Sequence, residues 1–141
     1  MIAQGRDIML IDRIDHVVLT VRDLDRTCAF YRDVLGFEVV TFGAGRKGLS
    51  FGSQKLNLHQ YGKEFEPKAQ HPTPGSVDLC FITRTPLDQV RRELAEKGIA
   101  VEVGPVEKVG AIGTLLSVYV RDPDHNLIEI ANYIREDAPG R

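Results

Sequence analysis

Four polar side chains interrupt otherwise apolar stretches of this 141-residue chain: His16, Asn57, Asp78 and Glu129. A carboxylate or imidazole inside an apolar strand is costly unless it has a partner, which can be a metal ion, a proton or an opposite charge. Imidazole and carboxylate are common ligands of divalent metals, and both transfer protons near neutral pH. If the fold brings these residues together, the sequence predicts a metal or acid–base site. For Glu129 alone, an ion pair with Arg121 or Lys55 is the alternative.

The same four residues occupy matching positions in two similar halves of the chain. Each half opens with an apolar run and ends with a tyrosine, and these landmarks allow the halves to be aligned. The alignment pairs His16 with Asp78 and Asn57 with Glu129. A duplication folded about a pseudo-two-fold axis is therefore expected to bring all four side chains into one hollow.

Each half has the pattern of a strand, a helix and three strands. In the first half these elements are expected at 16–21, 24–35, 37–42, 48–51 and 55–61, with Asp23 as helix cap and Gly36 as helix stop. In the second half they are expected at 77–83, 86–97, 101–109, 115–120 and 127–133. There Thr85 should cap the helix, and Pro105 indicates an edge strand or a bulge.

We therefore predict an α+β fold made of two βαβββ modules. One domain would span 1–141, with a first module at about 14–62, a Pro-rich linker at 63–75 and a second module at about 76–134. The eight strands would form one cup-shaped sheet with the helices on its outer face. Strand alternation places His16 and Glu129 on the cup side and the apolar sets under the helices.

Several segments resemble the vicinal oxygen chelate superfamily, which includes glyoxalase I, extradiol dioxygenases and bleomycin resistance proteins. The similar segments are 15–17 (Asp-His-Val), 30–37 and 121–129 (Arg-Asp-Pro-Asp-His-Asn-Leu-Ile-Glu). Segments 46–49, 57–59, 65–69 and 72–76 are most similar to the glyoxalase domain-containing protein 5 group, whose bacterial members are described as lactoylglutathione-lyase-like virulence proteins. The resemblance implies the fold predicted above and covers roughly residues 14–133.

The resemblance also implies metal ligands at four positions, which are again His16, Asn57, Asp78 and Glu129. Glyoxalase I has His, Glu, His and Glu there, whereas this chain has Asn57 and Asp78 at the second and third positions. Activity on glutathione adducts therefore does not follow from the resemblance. The two-His-one-carboxylate pattern of extradiol iron enzymes is met only if His59 substitutes.

Other residues extend the candidate site. His59 lies two residues beyond Asn57 and is a candidate metal ligand, general base or rim residue. Asn57 could orient substrate rather than bind metal, and Arg46 could attract an anion. Segment 65–68 is interpreted either as a lid over the cup or as plain linker. His71 and His125 are expected to be exposed.

These residues favour a divalent-metal-dependent glyoxalase-like lyase or isomerase acting on a small substrate with adjacent oxygens. His16, Asp78, Glu129 and His59 are the candidate metal ligands. Glu129 and His59 are also the candidate catalytic residues. The ion could be Mn²⁺, Ni²⁺, Zn²⁺, Mg²⁺ or Fe²⁺. The alternatives are a ring-cleaving extradiol-type dioxygenase and a non-enzymatic small-molecule binding or resistance protein.

Net charge, the length of apolar runs and the cysteines bear on partners, membrane insertion and location. A formal charge of −2 argues against general nucleic-acid binding, and no apolar run is long enough for a membrane span. Without a signal-peptide core, 1–13 is expected to be a short tail or an extra strand, and the chain to be cytoplasmic. Cys28 and Cys80 are expected to be small buried hydrophobes. The resemblance implies a homodimer, although a chain with both modules could form its cup alone.

Overall fold

The computed structural model describes residues 7–137, and its elements repeat one order twice. The first half contains β1 (His16–Val21), α1 (Leu24–Asp33), β2 (Glu38–Phe42), β3 (Arg46–Phe51) and β4 (Gln54–Gln60). The second contains β5 (Asp78–Ile82), α2 (Leu87–Glu96), β6 (Val103–Val109), β7 (Gly113–Arg121) and β8 (Leu127–Glu136). The α+β fold with two βαβββ modules is confirmed. Residues 7–15 form neither helix nor strand, and 1–6 and 138–141 lie outside the described residues.

The eight strands form two sheets of four, not the single eight-stranded sheet that was predicted. The strand orders are β1-β4-β3-β2 and β5-β8-β7-β6, so the modules have the same topology. In each module the first strand runs parallel to the last, and the remaining pairs are antiparallel. The edge strand β6 shifts register between Val103 and Val106, as Pro105 indicated. We call the two the N-terminal and C-terminal sheets.

The two main helices begin differently. Asp23 caps α1 as predicted, since its side chain accepts a hydrogen bond from the backbone N–H of Arg26 at 3.1 Å. The expected Thr85 cap of α2 is wrong, because Pro86 occupies the N-cap position and offers no side-chain acceptor. A residue of β8 replaces the cap: Asn132 Oδ1 accepts from the backbone N–H of Leu87 at 2.9 Å. The cap of α2 therefore depends on tertiary structure.

Alternation along the strands separates two environments, as predicted. Leu19 and Val21 of β1 and Leu56 and Leu58 of β4 are buried in the core that also contains the apolar faces of the helices. The intervening residues point to the opposite side, which we call the open face of each sheet. Cys80 of β5 lies on the open face and is exposed, so the prediction that it is buried is wrong.

A buried polar network, which we call the Asp122 clamp, joins the two modules. It consists of Asp122, Tyr31, Asn126 and Val77. The Tyr31 hydroxyl donates to Asp122 Oδ2 at 2.7 Å, and Asn126 Nδ2 donates to the same oxygen at 2.8 Å. Asn126 Oδ1 in turn accepts from the backbone N–H of Val77 at 2.9 Å. The turn between β7 and β8 is therefore tied both to α1 and to the start of β5.

Candidate functional site

The open face of the N-terminal sheet carries four of the predicted site residues, which are His16, Asn57, His59 and Arg46. In β1, His16 lies beside Lys55 of β4. Two residues further along both strands, Asn57 lies beside Val18. Two residues beyond that pair, His59 lies beside Thr20. These side chains thus share one surface, in the order that strand alternation predicted.

His16 stands at the edge of this surface. Its side chain is 46% exposed, and its Nδ1 contacts Asp15 Oδ2 at 2.8 Å. This hydrogen bond leaves Nε2 as the nitrogen available to a ligand, in the way that carboxylates orient metal-binding imidazoles. The His16 imidazole also lowers the pKa of the Asp15 carboxyl, chiefly through this hydrogen bond.

His59 is buried, with 2% of its surface exposed, so it is not a rim residue. Its Nε2 lies 3.3 Å from Nη2 of Arg46. A guanidinium only donates hydrogen bonds, so Nε2 must accept, which places the ring proton of the neutral imidazole on Nδ1. Burial, followed by the Arg46 charge, lowers the pKa of His59 and keeps the ring neutral.

Arg46 is held between two aromatic rings. Its guanidinium carbon lies 5.3 Å from the ring centre of Phe42 and 4.7 Å from that of Phe65. The Phe65 ring also packs edge-on against His59, with centroids 5.5 Å apart. Among residues 7–137, Arg46 makes no ion pair, and its buried Nε has no hydrogen-bond partner. The guanidinium therefore has no carboxylate within ion-pair distance in this part of the chain.

Asn57 has an unpaired acceptor, whereas Arg46 has an unpaired donor. The residue is 6% exposed, and its Oδ1 is buried without a hydrogen-bond donor. Gly48 lies directly beside it on β3, and a Cβ there would approach Asn57 Oδ1 to 3.3 Å. The same position lies 3.0 Å from Lys55 Cδ and 3.3 Å from Lys55 Cγ, so the missing side chain of Gly48 lets the flexible Lys55 chain lie beside this oxygen. A buried acceptor without a donor costs free energy, which a bound donor would recover.

The chain between the modules folds over this face. We call residues 62–75 the strap. Its residues Pro67, Lys68, Ala69 and Pro72 join Val18, Thr20 and His59 in enclosing a cavity of about 270 Å³. Since Phe65 also contacts Arg46 and His59, the lid interpretation of this segment is favoured over that of a plain linker.

Glu129 lies on the open face of the C-terminal sheet, surrounded by hydrogen-bond donors. Its Oε2 accepts from the Ser117 hydroxyl at 2.6 Å. Partial desolvation by the surrounding side chains, and then the Glu129 charge, raises the pKa of both the Cys80 thiol and the Tyr119 hydroxyl to about 12. Both groups therefore stay protonated beside the carboxylate. Asp78 is exposed on the same strand as Cys80.

The alternative of a structural ion pair for Glu129 is not observed. Arg121 instead pairs with Glu102 at 2.9 Å, and the Lys55 ammonium lies 3.7 Å above the ring of Phe42. Glu129 forms no salt bridge within the described part of the chain. The carboxylate thus has neutral donors around it and no cation of its own.

The predicted ligands do not converge within one chain. His16, Asp78 and Glu129 would form a group of metal-binding side chains if they met, and residues 7–137 contain no such group of three or more. Whether one chain closes its own cup, as both modules would allow, or a second copy is needed stays a prediction. His16 lies on the open face of the N-terminal sheet and Glu129 on that of the C-terminal sheet.

A larger cavity, of about 660 Å³, lies between the modules, beside the C-terminal end of α1 and along α2. Its apolar wall includes the packed rings of Phe37, Phe51 and Phe81. None of the predicted site residues lines it. The smaller cavity has the stronger claim to function, because His59 lines it and the unpaired polar atoms of Arg46 and Asn57 lie on the same open face.

Sequence reasoning missed several neighbours of the site. Ser117 and Tyr119 alternate along β7 opposite Glu129, so period-2 spacing on that strand would have found them. Asp15 adjoins His16 in sequence and was an available signal. Phe42 and Phe65 enclose Arg46 only because a hairpin and the strap meet there, and no local pattern predicts that contact.

Comparison with known proteins identifies the family. The family model of the Glyoxalase/Bleomycin resistance protein/Dioxygenase superfamily matches residues 13–130. The chain belongs to this superfamily. Virulence protein STM3117 of Salmonella typhimurium is 60% identical to this superfamily member over 126 residues, covering 89% of this chain and 88% of that protein. The crystal structure of STM3117 matches with a TM-score of 0.88 and covers 89% of this chain and 100% of that chain.

Two further relatives carry glyoxalase names. Glyoxalase domain-containing protein RDO1 of Mycosarcoma maydis is 57% identical over 120 residues, covering 85% of this chain and 68% of that protein. The crystal structure of lactoylglutathione lyase from Agrobacterium tumefaciens is 28% identical with a TM-score of 0.67, covering 86% of this chain and 94% of that chain. The resemblance found in the sequence is thereby confirmed. Among the described residues, neither helix of this superfamily member is long and apolar enough to cross a membrane.

Proposed function

We propose that the protein is a divalent-metal-dependent glyoxalase-like lyase or isomerase that works as a homodimer. The observation that carries this proposal is the division of candidate ligands between two open faces. His16 is on one, with Asn57 and His59 nearby, and Asp78 and Glu129 are on the other. A two-fold dimer that apposes the N-terminal sheet of one copy with the C-terminal sheet of its partner would form two equivalent sites.

The donor chemistry fits a divalent ion once both halves contribute. His16 offers Nε2, since Nδ1 is engaged by Asp15. Glu129 and Asp78 offer carboxylate oxygens, and one neutral nitrogen with several oxygens suits Mn²⁺, Ni²⁺, Zn²⁺, Mg²⁺ or Fe²⁺. His59 supports the ion less well, because the Arg46 guanidinium occupies its Nε2. When bound, the metal would act as a Lewis acid on adjacent substrate oxygens.

The chain's own groups would position the substrate and move its protons. Glu129, held by Ser117, is the proposed proton-accepting carboxylate. His59 would hold a proton on Nδ1 and donate a hydrogen bond to the substrate as a neutral imidazole. Arg46 and Asn57 would bind polar substrate groups, and the strap would exclude water from the enclosed space. These roles suit proton transfer next to a carbonyl.

A non-enzymatic binder is the second candidate. Its support is the cavity of about 270 Å³ beneath the strap, together with the absence of a metal-binding group within residues 7–137 of one chain. Such a protein would need the ligand contacts of the N-terminal open face, but neither a metal nor a proton-transferring Glu129.

Metal analysis and solvent exchange test the enzyme proposal together. Protein purified without chelator and reloaded should contain close to one divalent ion per chain, measured by plasma mass spectrometry. His16→Ala and Glu129→Gln should each lose most of it. The loaded protein should exchange carbon-bound hydrogen next to the carbonyl of small 2-hydroxycarbonyl compounds for deuterium, observed by proton NMR.

His71→Ala is the matched control, because it removes an exposed strap imidazole. It should retain metal and exchange activity. Protein that stays metal-free after reloading but still binds small molecules would replace the enzyme proposal with the binder. Metal content unchanged in His16→Ala would refute the ligand assignment.

A further inference from the structure

We propose that the N-terminal open face binds a small 2-hydroxycarboxylate. Its carboxylate would bind the Arg46 guanidinium, and its hydroxyl would donate to Asn57 Oδ1. This inference names the substrate class of the proposed function and rests on it. The binding contacts themselves belong to one sheet of one chain, so they can be measured without metal.

The state of Arg46 indicates an anionic ligand. Phe42 and Phe65 fix the guanidinium in place, and its one hydrogen-bonded partner, His59, is a neutral acceptor. The buried Nε has no acceptor among the described residues. A fixed guanidinium with a free Nε–H matches the two oxygens of a carboxylate, and its ordering cost has already been met by the aromatic rings.

The state of Asn57 indicates a hydroxyl group on the same ligand. Its Oδ1 is a buried acceptor without a donor, so a second carboxylate oxygen there would be repelled and an O–H would be favoured. Gly48 lies opposite Asn57, and the flexible Lys55 chain lies where a Cβ of Gly48 would be, so a ligand hydroxyl reaches this oxygen by displacing the Lys55 methylene groups. A single ligand that satisfies both atoms therefore needs an acceptor for Arg46 Nε–H and a donor for Asn57 Oδ1.

Strand geometry brings these two atoms within reach of one small molecule. Arg46 and Gly48 are two residues apart on β3, which corresponds to about 7 Å along one face. His59 lies beside both and lines a cavity of about 270 Å³. A molecule that bridges Arg46 and Asn57 over about 7 Å needs only a few carbon atoms.

An ordered water would satisfy Asn57 equally well, so the test compares probes that differ in one group. The probes are lactate (hydroxyl and carboxylate), pyruvate (carboxylate without the hydroxyl) and lactamide (hydroxyl without the charge). The full chain is stripped of metal on chelating resin, so that no soluble chelator competes. Affinity is measured by NMR from the Arg46 Nε–H signal, assigned by its loss in Arg46→Lys, and from backbone amides.

Lactate should shift the Arg46 Nε–H signal saturably, and lactamide should bind about 10-fold more weakly or worse, as expected for loss of a charged hydrogen bond. Arg46→Met should weaken lactate and pyruvate alike by about 10-fold or more, and Arg46→Lys by less. Asn57→Leu should weaken lactate about 5-fold and leave pyruvate within about 2-fold. Lys63→Met, with the same charge change at an exposed strap residue, is the control.

Equal affinity of wild type for lactate and lactamide, or an unaltered lactate affinity in folded Arg46→Met, would overturn the inference. Equal affinity for lactate and pyruvate would show that the hydroxyl group contributes nothing to binding, and would overturn the assignment of a hydroxyl to Asn57. Loss of the metal site leaves these contacts in place, so lactate binding with no metal uptake would reject the proposed enzyme alone. Metal uptake with no response of Arg46 to any carboxylate would reject the substrate class alone.

Discussion

The Asp122 clamp and the N-terminal open face both bury polar side chains, but these are hydrogen-bonded in the clamp and partly unpaired on the open face. Asp122 is 4% exposed and Asn57 is 6% exposed, so burial does not distinguish them. Asp122 accepts four hydrogen bonds, from Tyr31, Asn126 Nδ2 and the backbone N–H groups of Asp124 and Asn126. Asn57 Oδ1 accepts none.

The difference separates structural from functional polarity. A buried network in which every polar group is hydrogen-bonded stabilises one conformation. Removing one member leaves another buried polar group without a hydrogen bond. An unsatisfied buried acceptor stabilises nothing in the free protein, and a bound donor, either a ligand or a water, would satisfy it. The signature segment 121–126, which carried much of the family resemblance, therefore acts in architecture, whereas we propose that Asn57 and Arg46 act in recognition.

The largest effect should come from breaking the clamp. Asp122→Ala strands four donors and should lower the free energy of unfolding by about 3 to 5 kcal/mol. Tyr31→Phe removes one donor and should cost about 1 kcal/mol. Urea denaturation followed by circular dichroism measures both. A loss below about 1 kcal/mol for a folded Asp122→Ala would mean that the clamp is not a stabilising network.

The open face should respond in the opposite way. Asn57→Leu replaces an unpaired buried acceptor with an apolar side chain of similar branched shape, so stability should be unchanged or rise by up to about 1 kcal/mol. The same denaturation experiment detects this, with Asn126→Leu in the clamp as the contrasting amide. A loss of more than about 1 kcal/mol in Asn57→Leu would show that its side chain is structural.

A smaller difference should appear in the pH dependence of stability. Burial and Arg46 lower the pKa of His59 from its usual value of 6.5, so as pH falls through that value the unfolded chain binds a proton that the native state does not. The free energy of unfolding should therefore fall between pH 7 and pH 5, and less so in His59→Gln. His71→Gln is the matched control, and identical slopes in wild type and His59→Gln would contradict the account.

The sequence predicted the repeat, the element order and which residues face away from the helices, because strand and helix periodicity are local. It placed His16, Asn57 and Glu129 on open faces for the same reason. It did not predict two separate sheets or the failure of the ligands to meet in one chain. Those features depend on how the modules pack, which involves contacts as distant in sequence as that of Tyr31 with Asp122, 91 residues apart.

The contacts around Arg46 show the same limit. Its aromatic partners come from a hairpin and from the irregular strap, and neither has a periodic pattern that fixes its position. Cys80 was expected to be buried because cysteine usually is, yet β5 presents it on the open face of an edge strand. Composition could not foresee which face of that strand the helices cover.

Mixing two defective chains tests the central claim most directly. His16→Ala and Glu129→Gln each damage one half of the proposed shared site, and a mixed dimer would contain one intact site and one doubly damaged site. We predict that refolding the two variants together in equal amounts restores about a quarter of the wild-type metal content, since about half of the dimers would be mixed and each would hold one site of two. Metal content that stays at the level of the separate variants, in dimers shown to have exchanged subunits, would contradict a site shared between copies.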